Sequence, residues 1–213
     1  MKQGLIFDID GTLWDATSTI TASWNEVLDA QPLPHRHLTA SLAASCMGLT
    51  MDQWALTLMP QLDEPTRLRL LAACMDNENR RLPVQGGRLY PHLHATFEIL
   101  HRRYHISILS NCGPGYIDCL VRFAHLQQLV DDQLCFGDTD LDKADNIPLL
   151  IERTGLDQAV YVGDTCMDQQ ACRQAHVPFI HAAYGFGQVD DAVWSITDLD
   201  QLPDLVPQVF AAH

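Results

Sequence analysis

The chain has 213 residues, 47% of them hydrophobic and 19% charged, with a net charge of −14 at pH 7. That length holds one large domain or a core with a smaller companion, and that composition belongs to a globular protein with ample core material. The acidity, an isoelectric point near 4.8, disfavours nonspecific nucleic-acid or anionic-membrane binding; a phosphorylated small molecule stays open, because a metal and one or two cations can reverse the field inside a cleft.

No apolar run reaches the length of a membrane span, and because the opening MKQGLIFDID passes almost directly into a strand, no signal peptide is expected. Cys46, Cys74, Cys112, Cys119, Cys135, Cys166 and Cys172 are odd in number and lack the paired spacing of zinc sites. They are expected to be reduced thiols in a cytoplasmic compartment.

The first predicted element is the short, bulky run Leu5-Ile6-Phe7, a buried strand. It delivers Asp8 and Asp10 to its C-terminal end, with Gly11 and Thr12 directly after, and in open α/β sheets ligands bind at that end. A carboxylate there can attack phosphorus, and a second one two residues on can manage the proton. Two anions so close require a hard cation between them, which predicts Mg²⁺. Residues 16–30 carry Ile20, Trp24, Val27 and Leu28 at helical spacing and are closed by Pro32 and Pro34. Further helices are predicted at 36–46, 51–59 and 64–80, with no strand between 15 and 82. From Pro83 helix and strand alternate: helices at 92–103, 114–125, 145–154 and 168–176, and strands at 106–110, 134–136, 159–163 and 178–182. That alternation predicts a parallel sheet with right-handed crossovers. Ser110 and Asn111 end the strand at 106–110 beside Gly113, where a hydroxyl and free amides can cradle a phosphate. His92 and His94 are two apart, which on a helix points their rings away from each other, so both are expected at the surface rather than on a metal.

The stretch LIFDIDGTL at 5–13 resembles the first motif, Asp-x-Asp-Gly-Thr, of phosphatases of the haloacid dehalogenase (HAD) superfamily. Three later stretches are similar to its other motifs, in the same order. Ser110-Asn111 stands where that family holds a phosphoryl oxygen. Lys143, one of only two lysines in the chain, stands where the family places its conserved-function lysine, although the frequent Lys-Pro is Lys-Ala here. The run AVYVGDTCMDQQ resembles Gly-Asp-Thr/Ser-x-x-Asp, and AAYGFGQ at 182–188 resembles the loop after the last core strand of phosphoglycolate-phosphatase-like members. The usual Pro-Gly at the start of the core helix is Pro91-His92.

The resemblance implies an α/β fold: a Rossmann-like parallel-sheet core of residues 1–14 and 83–213, with an all-helical cap at 15–82 that folds over the site and helps choose the substrate. It implies Mg²⁺-dependent hydrolysis of small phosphomonoesters, phosphoglycolate-like or sugar phosphate, by a monomer or homodimer. Asp8 would attack phosphorus to give an aspartyl phosphate, and Asp10 would act first as acid and then as base. Asp8, Asp164 and the backbone carbonyl of Asp10 would ligate Mg²⁺, while Ser110, Asn111 and Lys143 hold the transferring group. Asp168 would orient the metal ligand or cap its helix, and Thr12 would support the first turn.

A phosphosugar mutase of the same superfamily and a non-catalytic module that binds a phosphorylated ligand are the alternatives. Residues 15–25 lack the histidine that a mutase often carries in its first cap helix, and every expected catalytic side chain is present. A receiver domain would place its paired acids and its phospho-accepting Asp on different strands, and a dehalogenase would need neither metal nor Asp10. Cys112 and Cys166 follow the phosphate and metal residues closely, so oxidation of either would put a polar adduct beside the phosphate site.

Overall fold

Leu5, Ile6 and Phe7 are wholly buried because their strand runs through the middle of a six-stranded parallel sheet. A computed structural model describes residues 1–213. The chain begins with β1 (Gln3–Phe7) and a two-residue strand, β2 (Trp14–Asp15). Four helices follow without an intervening strand: α1 (Thr17–Asp29), α2 (Ala40–Cys46), α3 (Met51–Leu58) and α4 (Glu64–Gln85). A second two-residue strand, β3 (Arg88–Leu89), leads to α5 (Leu93–Leu100), β4 (His105–Ser110), α6 (Tyr116–Phe123), β5 (Asp132–Cys135), the short α7 (Phe136–Thr139) and α8 (Lys143–Thr154). The chain ends with β6 (Gln158–Gly163), α9 (Cys166–Ala175), β7 (Phe179–Ala182), β8 (Trp194–Ile196), a 3₁₀ turn at Leu199–Gln201 and α10 (Leu202–Ala211).

The sheet order is β5-β4-β1-β6-β7-β8. From β1 the chain builds outward through β4 to β5, then returns to the other side of β1 for β6, β7 and β8. The strand order therefore reverses around β1, the place where open α/β sheets form a crevice at the carboxyl ends of their strands. Phe7 is in register with Ile108 of β4 and with Val162 of β6. Residues just past these three thus emerge together, and they are the acidic and polar ones that the sequence singled out.

One hydrophobic cluster covers a face of the sheet and continues into the four-helix segment, joining Phe7, Ile108 and Val162 to Trp24, Trp54 and Leu58. A smaller one on the opposite face packs Ile6, Leu109 and Tyr161 under α8 and α9. No helix is long and apolar enough to cross a membrane.

Three local features depart from expectation. The segment at 15–82 was expected to hold no strand, yet Asp15 belongs to β2, which pairs antiparallel with β3 through Trp14↔Leu89 and Asp15↔Arg88. Helix α4 does not stop before Pro83 but runs through it to Gln85. Proline there has no N–H to give the Asn79 carbonyl, and the Cys119 thiol of α6 lies 3.6 Å from that carbonyl and 3.3 Å from the Gly115 carbonyl of its own helix. At the C-terminus, β8 is too short to show a period, and Pro203 and Pro207 disguise α10. His92, where the resembling family has glycine, adopts a left-handed conformation (φ 62°), and its Nδ1 lies 2.7 Å from the Asp198 carboxylate. His92 and His94 are both exposed.

Candidate active site

Asp8 leaves β1 in a 4%-exposed position and meets Lys143, whose Nζ donates to Asp8 Oδ1 at 2.7 Å and to Asp168 Oδ1 at 2.5 Å. Lys143 opens α8 because the preceding Asp142 caps that helix, its Oδ1 accepting from the Asp145 amide. Asp168 is locked in turn. Its Oδ2 accepts from the backbone N–H (3.0 Å) and the hydroxyl (2.6 Å) of Thr165, while Thr165 Oγ1 accepts from the Asp168 amide. Asp168 is therefore both the acid of a capping box on α9 and the anchor of the ammonium. The two roles weighed for it were helix capping and orienting the metal ligand; the structure shows the capping, with an ion pair to the lysine in addition.

Burial pushes the Asp8 carboxyl up to about 6, with Lys143 opposing and Asp168 adding to the rise. Burial alone would lower the Lys143 ammonium, but the carboxylates of Asp168 and Asp8 outweigh it and hold the charge on nitrogen. Asp10 sits beyond Asp8 on the turn. Tyr116 Oη (2.7 Å) and Trp14 Nε1 (3.0 Å) both donate to the same oxygen, Oδ1. Burial and the charges of Asp8 and Glu78 nonetheless raise Asp10 well above the usual carboxylate range, against the opposing pull of those two donors. With Oδ1 committed as an acceptor, Oδ2 is the oxygen left free to take or give a proton.

Asp164 follows Gly163 at the end of β6 and is completely buried. Its Oδ2 accepts from the amides of Phe186 (2.7 Å) and Gly187 (3.3 Å), in the loop after β7, whereas its Oδ1 has no partner. Burial and the neighbouring carboxylates of Asp168 and Asp8 push it up to about 8. Carboxylate oxygens of Asp8, Asp164 and Asp168 lie within 4.8 Å of one another. Both Asp168 oxygens are already engaged, which leaves Asp8 and the orphaned Oδ1 of Asp164 as the free donors. An all-oxygen set of this kind fits a hard divalent cation. Gly11 makes the arrangement possible: its φ is +86°, and a Cβ there would lie 2.1 Å from Asp164 Oδ2.

Ser110 is buried at the end of β4, at the cavity between sheet and helices that Asp8 and Asp10 also line. The Asn111 amide nitrogen donates to the Gly48 carbonyl at 2.8 Å, in the loop between α2 and α3. Asn111 thus ties the helical segment to the sheet, a partnership that its position in the sequence did not announce. Thr12 lies away from the cavity lining; its hydroxyl is buried without a partner and its carbonyl accepts from Tyr184. The Cys112 thiol is buried and held above its ordinary value, first by burial and then by the adjacent Cys135, while Cys166 is exposed on the first residue of α9.

Tyr116, Trp14 and Glu78 went unnoticed in the sequence. Trp14 could have been found from its place four residues after Asp10; the other two carry no local signal.

The family model for haloacid dehalogenase-like hydrolases matches residues 5–182. The phosphoglycolate phosphatase of Salmonella typhi is 25% identical over 242 aligned positions, which span 99% of this chain and 94% of that protein. Among solved structures, one described as a predicted phosphoglycolate phosphatase from Haemophilus somnus superposes with a TM-score of 0.81 at 20% identity, covering 96% of this chain and 98% of that one. A predicted phosphatase from Clostridium acetobutylicum gives 0.78 at 19% identity, covering 98% and 99%.

Proposed function

The chain belongs to the haloacid dehalogenase-like hydrolase family, and from that premise we propose that it is a Mg²⁺-dependent phosphatase that hydrolyses small phosphomonoesters through an aspartyl phosphate on Asp8. The observation that carries this is the meeting, at the carboxyl ends of the central strands, of a buried carboxylate held by a lysine with a second carboxyl two residues on, one oxygen of which accepts from Tyr116 and Trp14. A nucleophile and a general acid are what P–O cleavage needs.

Asp8 attacks phosphorus while Lys143 balances the negative charge that Asp8 and the phosphoryl oxygens share. Ser110 lies at the sheet edge where its hydroxyl reaches a phosphoryl oxygen, and Asn111 closes the wall beside it. Asp10 gives its Oδ2 proton to the leaving alkoxide, then takes a proton from the water that cleaves the acyl phosphate. Tyr116 and Trp14 fix its orientation throughout. Asp8, Asp164 and the Asp10 carbonyl would hold Mg²⁺, which supplies the positive charge that lets a phosphate dianion settle among carboxylates. The residues 15–82 serve as a cap, and the seven unpaired thiols support a cytoplasmic setting.

Phosphate release from p-nitrophenyl phosphate tests the proposal. Activity should need Mg²⁺, disappear in EDTA, and fall at least about a thousandfold in folded Asp8→Asn protein, because an amide is a poor nucleophile. A fully active Asp8→Asn protein, free of deamidation by mass, would overturn it. Conversion of a sugar phosphate to its isomer without phosphate release would point to the mutase, and turnover of no ester in a broad panel to the binding module.

A further inference from the structure

The cavity over Asp8 and Asp10 is narrow, with about 30 Å³ of free volume, and opens to solvent. Its far wall belongs to the helical segment and is apolar: Ile20 and Trp24 of α1, Met51 and Trp54 of α3, with the two indoles 5.2 Å apart. No lysine, arginine or histidine lines it. The one ionisable group on this wall is Glu78 of α4, which is 6% exposed. Its Oε2 accepts a hydrogen bond from Trp24 Nε1, and no cation pairs with it. Burial pushes the carboxyl up to about 7, opposed only by that indole.

Glu78 is a nearly buried carboxyl whose one hydrogen-bond partner is a neutral donor, and it lines the cavity with no counter-charge, so a donor entering the cavity meets an acceptor there. Glu78 lines the same cavity as Asp8, Asp10, Ser110 and Asn111. With the phosphoryl group on the last four, the alcohol portion of a phosphomonoester would enter the part of the cavity that Glu78 lines.

Resting on the phosphatase proposal above, we propose that Glu78 receives a hydrogen-bond donor, a hydroxyl or an amine, on the alcohol portion of the substrate, and that the cavity discriminates against phosphomonoesters that carry a carboxylate. A substrate carboxylate would lie in a wall of tryptophan, methionine and isoleucine opposite another acid, with no cation to receive it, so its lost hydration would go unreplaced. A hydroxyl or ammonium in the same place gives Glu78 a further donor beside Trp24, and a site that hydrogen-bonds a donor rejects analogues without one. The Salmonella relative is named for phosphoglycolate, a carboxylate-bearing ester; the chemistry of this wall sets the present chain apart from that substrate.

Four esters on one enzyme preparation with Mg²⁺ decide the matter: p-nitrophenyl phosphate, 2-phosphoglycolate, 2-hydroxyethyl phosphate and 2-aminoethyl phosphate. The last three share a two-carbon frame and differ in the distal group. The expected result is a kcat/KM for the hydroxyethyl or aminoethyl ester at least about tenfold above that for phosphoglycolate, the ordinary worth of one hydrogen bond to a charged acceptor. In Glu78→Gln the ratio should shrink toward one, with the aminoethyl ester losing most. A wild-type preference for phosphoglycolate, or ratios unchanged in a folded Glu78→Gln protein, would overturn the inference; if that variant does not fold, the wild-type ratio decides alone. Failure of p-nitrophenyl phosphate to turn over in the wild type would instead count against the phosphatase proposal itself.

Discussion

Tyr116 and Trp14 converge on a single oxygen of Asp10, and their effect on its proton has a definite sign. Both donors favour the ionised form, so each lowers a carboxyl that burial has raised. Asp10 must be protonated to assist the leaving group, and activity is lost as pH climbs past its pKa. Tyr116→Phe removes one donor and should move the basic limb of the kcat/KM profile to higher pH, with turnover near neutrality reduced about tenfold by the looser carboxyl. An unmoved limb would show that Tyr116 only fills space. Asp8, Asp10, Ser110, Lys143, Asp164 and Asp168 were legible in the sequence because each lies at a strand end or helix start that its neighbours announce. Glu78 and Tyr116 were not, since only the packing of α4 against α6 brings them to the site.

At the level of elements, the loop between α2 and α3 is the part of the helical segment that closes on the sheet. Its Gly48 carbonyl accepts from Asn111, and its Met47 and Leu49 line the cavity. Gly48 has φ +85°, and a Cβ there would lie 2.5 Å from the Met167 terminal methyl. Gly48→Ala should cost about 1 kcal/mol of stability through the strained backbone. It should also raise KM several-fold while leaving kcat within about twofold, as loop 47–49 lifts from the wall. Thermal melting with steady-state kinetics checks both, and a fall in kcat at constant KM would show the loop acting on the chemistry instead. The helices α1 to α4 were readable from their apolar spacing, whereas the continuation of α4 through Pro83 was not. Proline ordinarily ends or kinks a helix, so the sequence alone argued for a stop there, whereas the packing of α4 against α6 carries the helix on to Gln85.

For the molecule as a whole, charge couples to folding. Asp8 and Asp164 have folded values of about 6 and about 8 against an ordinary value of 3.8. The metal-free native state therefore keeps protons that the unfolded chain releases above about pH 4, and its stability falls as pH rises from there toward 8. A divalent cation on these carboxylates reverses that trend, so the rise in melting temperature caused by Mg²⁺ over EDTA should be larger at pH 8 than at pH 5.5. An equal rise at both, or none, would show that the ion does not bind the ionised pair. The parallel sheet was legible from strand–helix alternation, but its strand order was not, and its outermost strand β8, three residues long, was too short to register. The pairing of β2 with β3 has a consequence for how such a chain can be rebuilt. Because Trp14 stands opposite Leu89 and Asp15 opposite Arg88, the four helices leave and rejoin the sheet domain at one spot. They form a cassette with both ends clamped, so a helical segment from a relative could be transplanted there without respacing β1 from β4. The recipient has two constraints at the downstream joint: Gly86 has φ +62° and a Cβ there would lie 2.1 Å from the Phe123 ring, and a Cβ on residue 87 would lie 2.8 Å from the Asp15 carbonyl and 2.9 Å from Ala16 Cα. Whatever cassette is spliced in, both glycines have to stay.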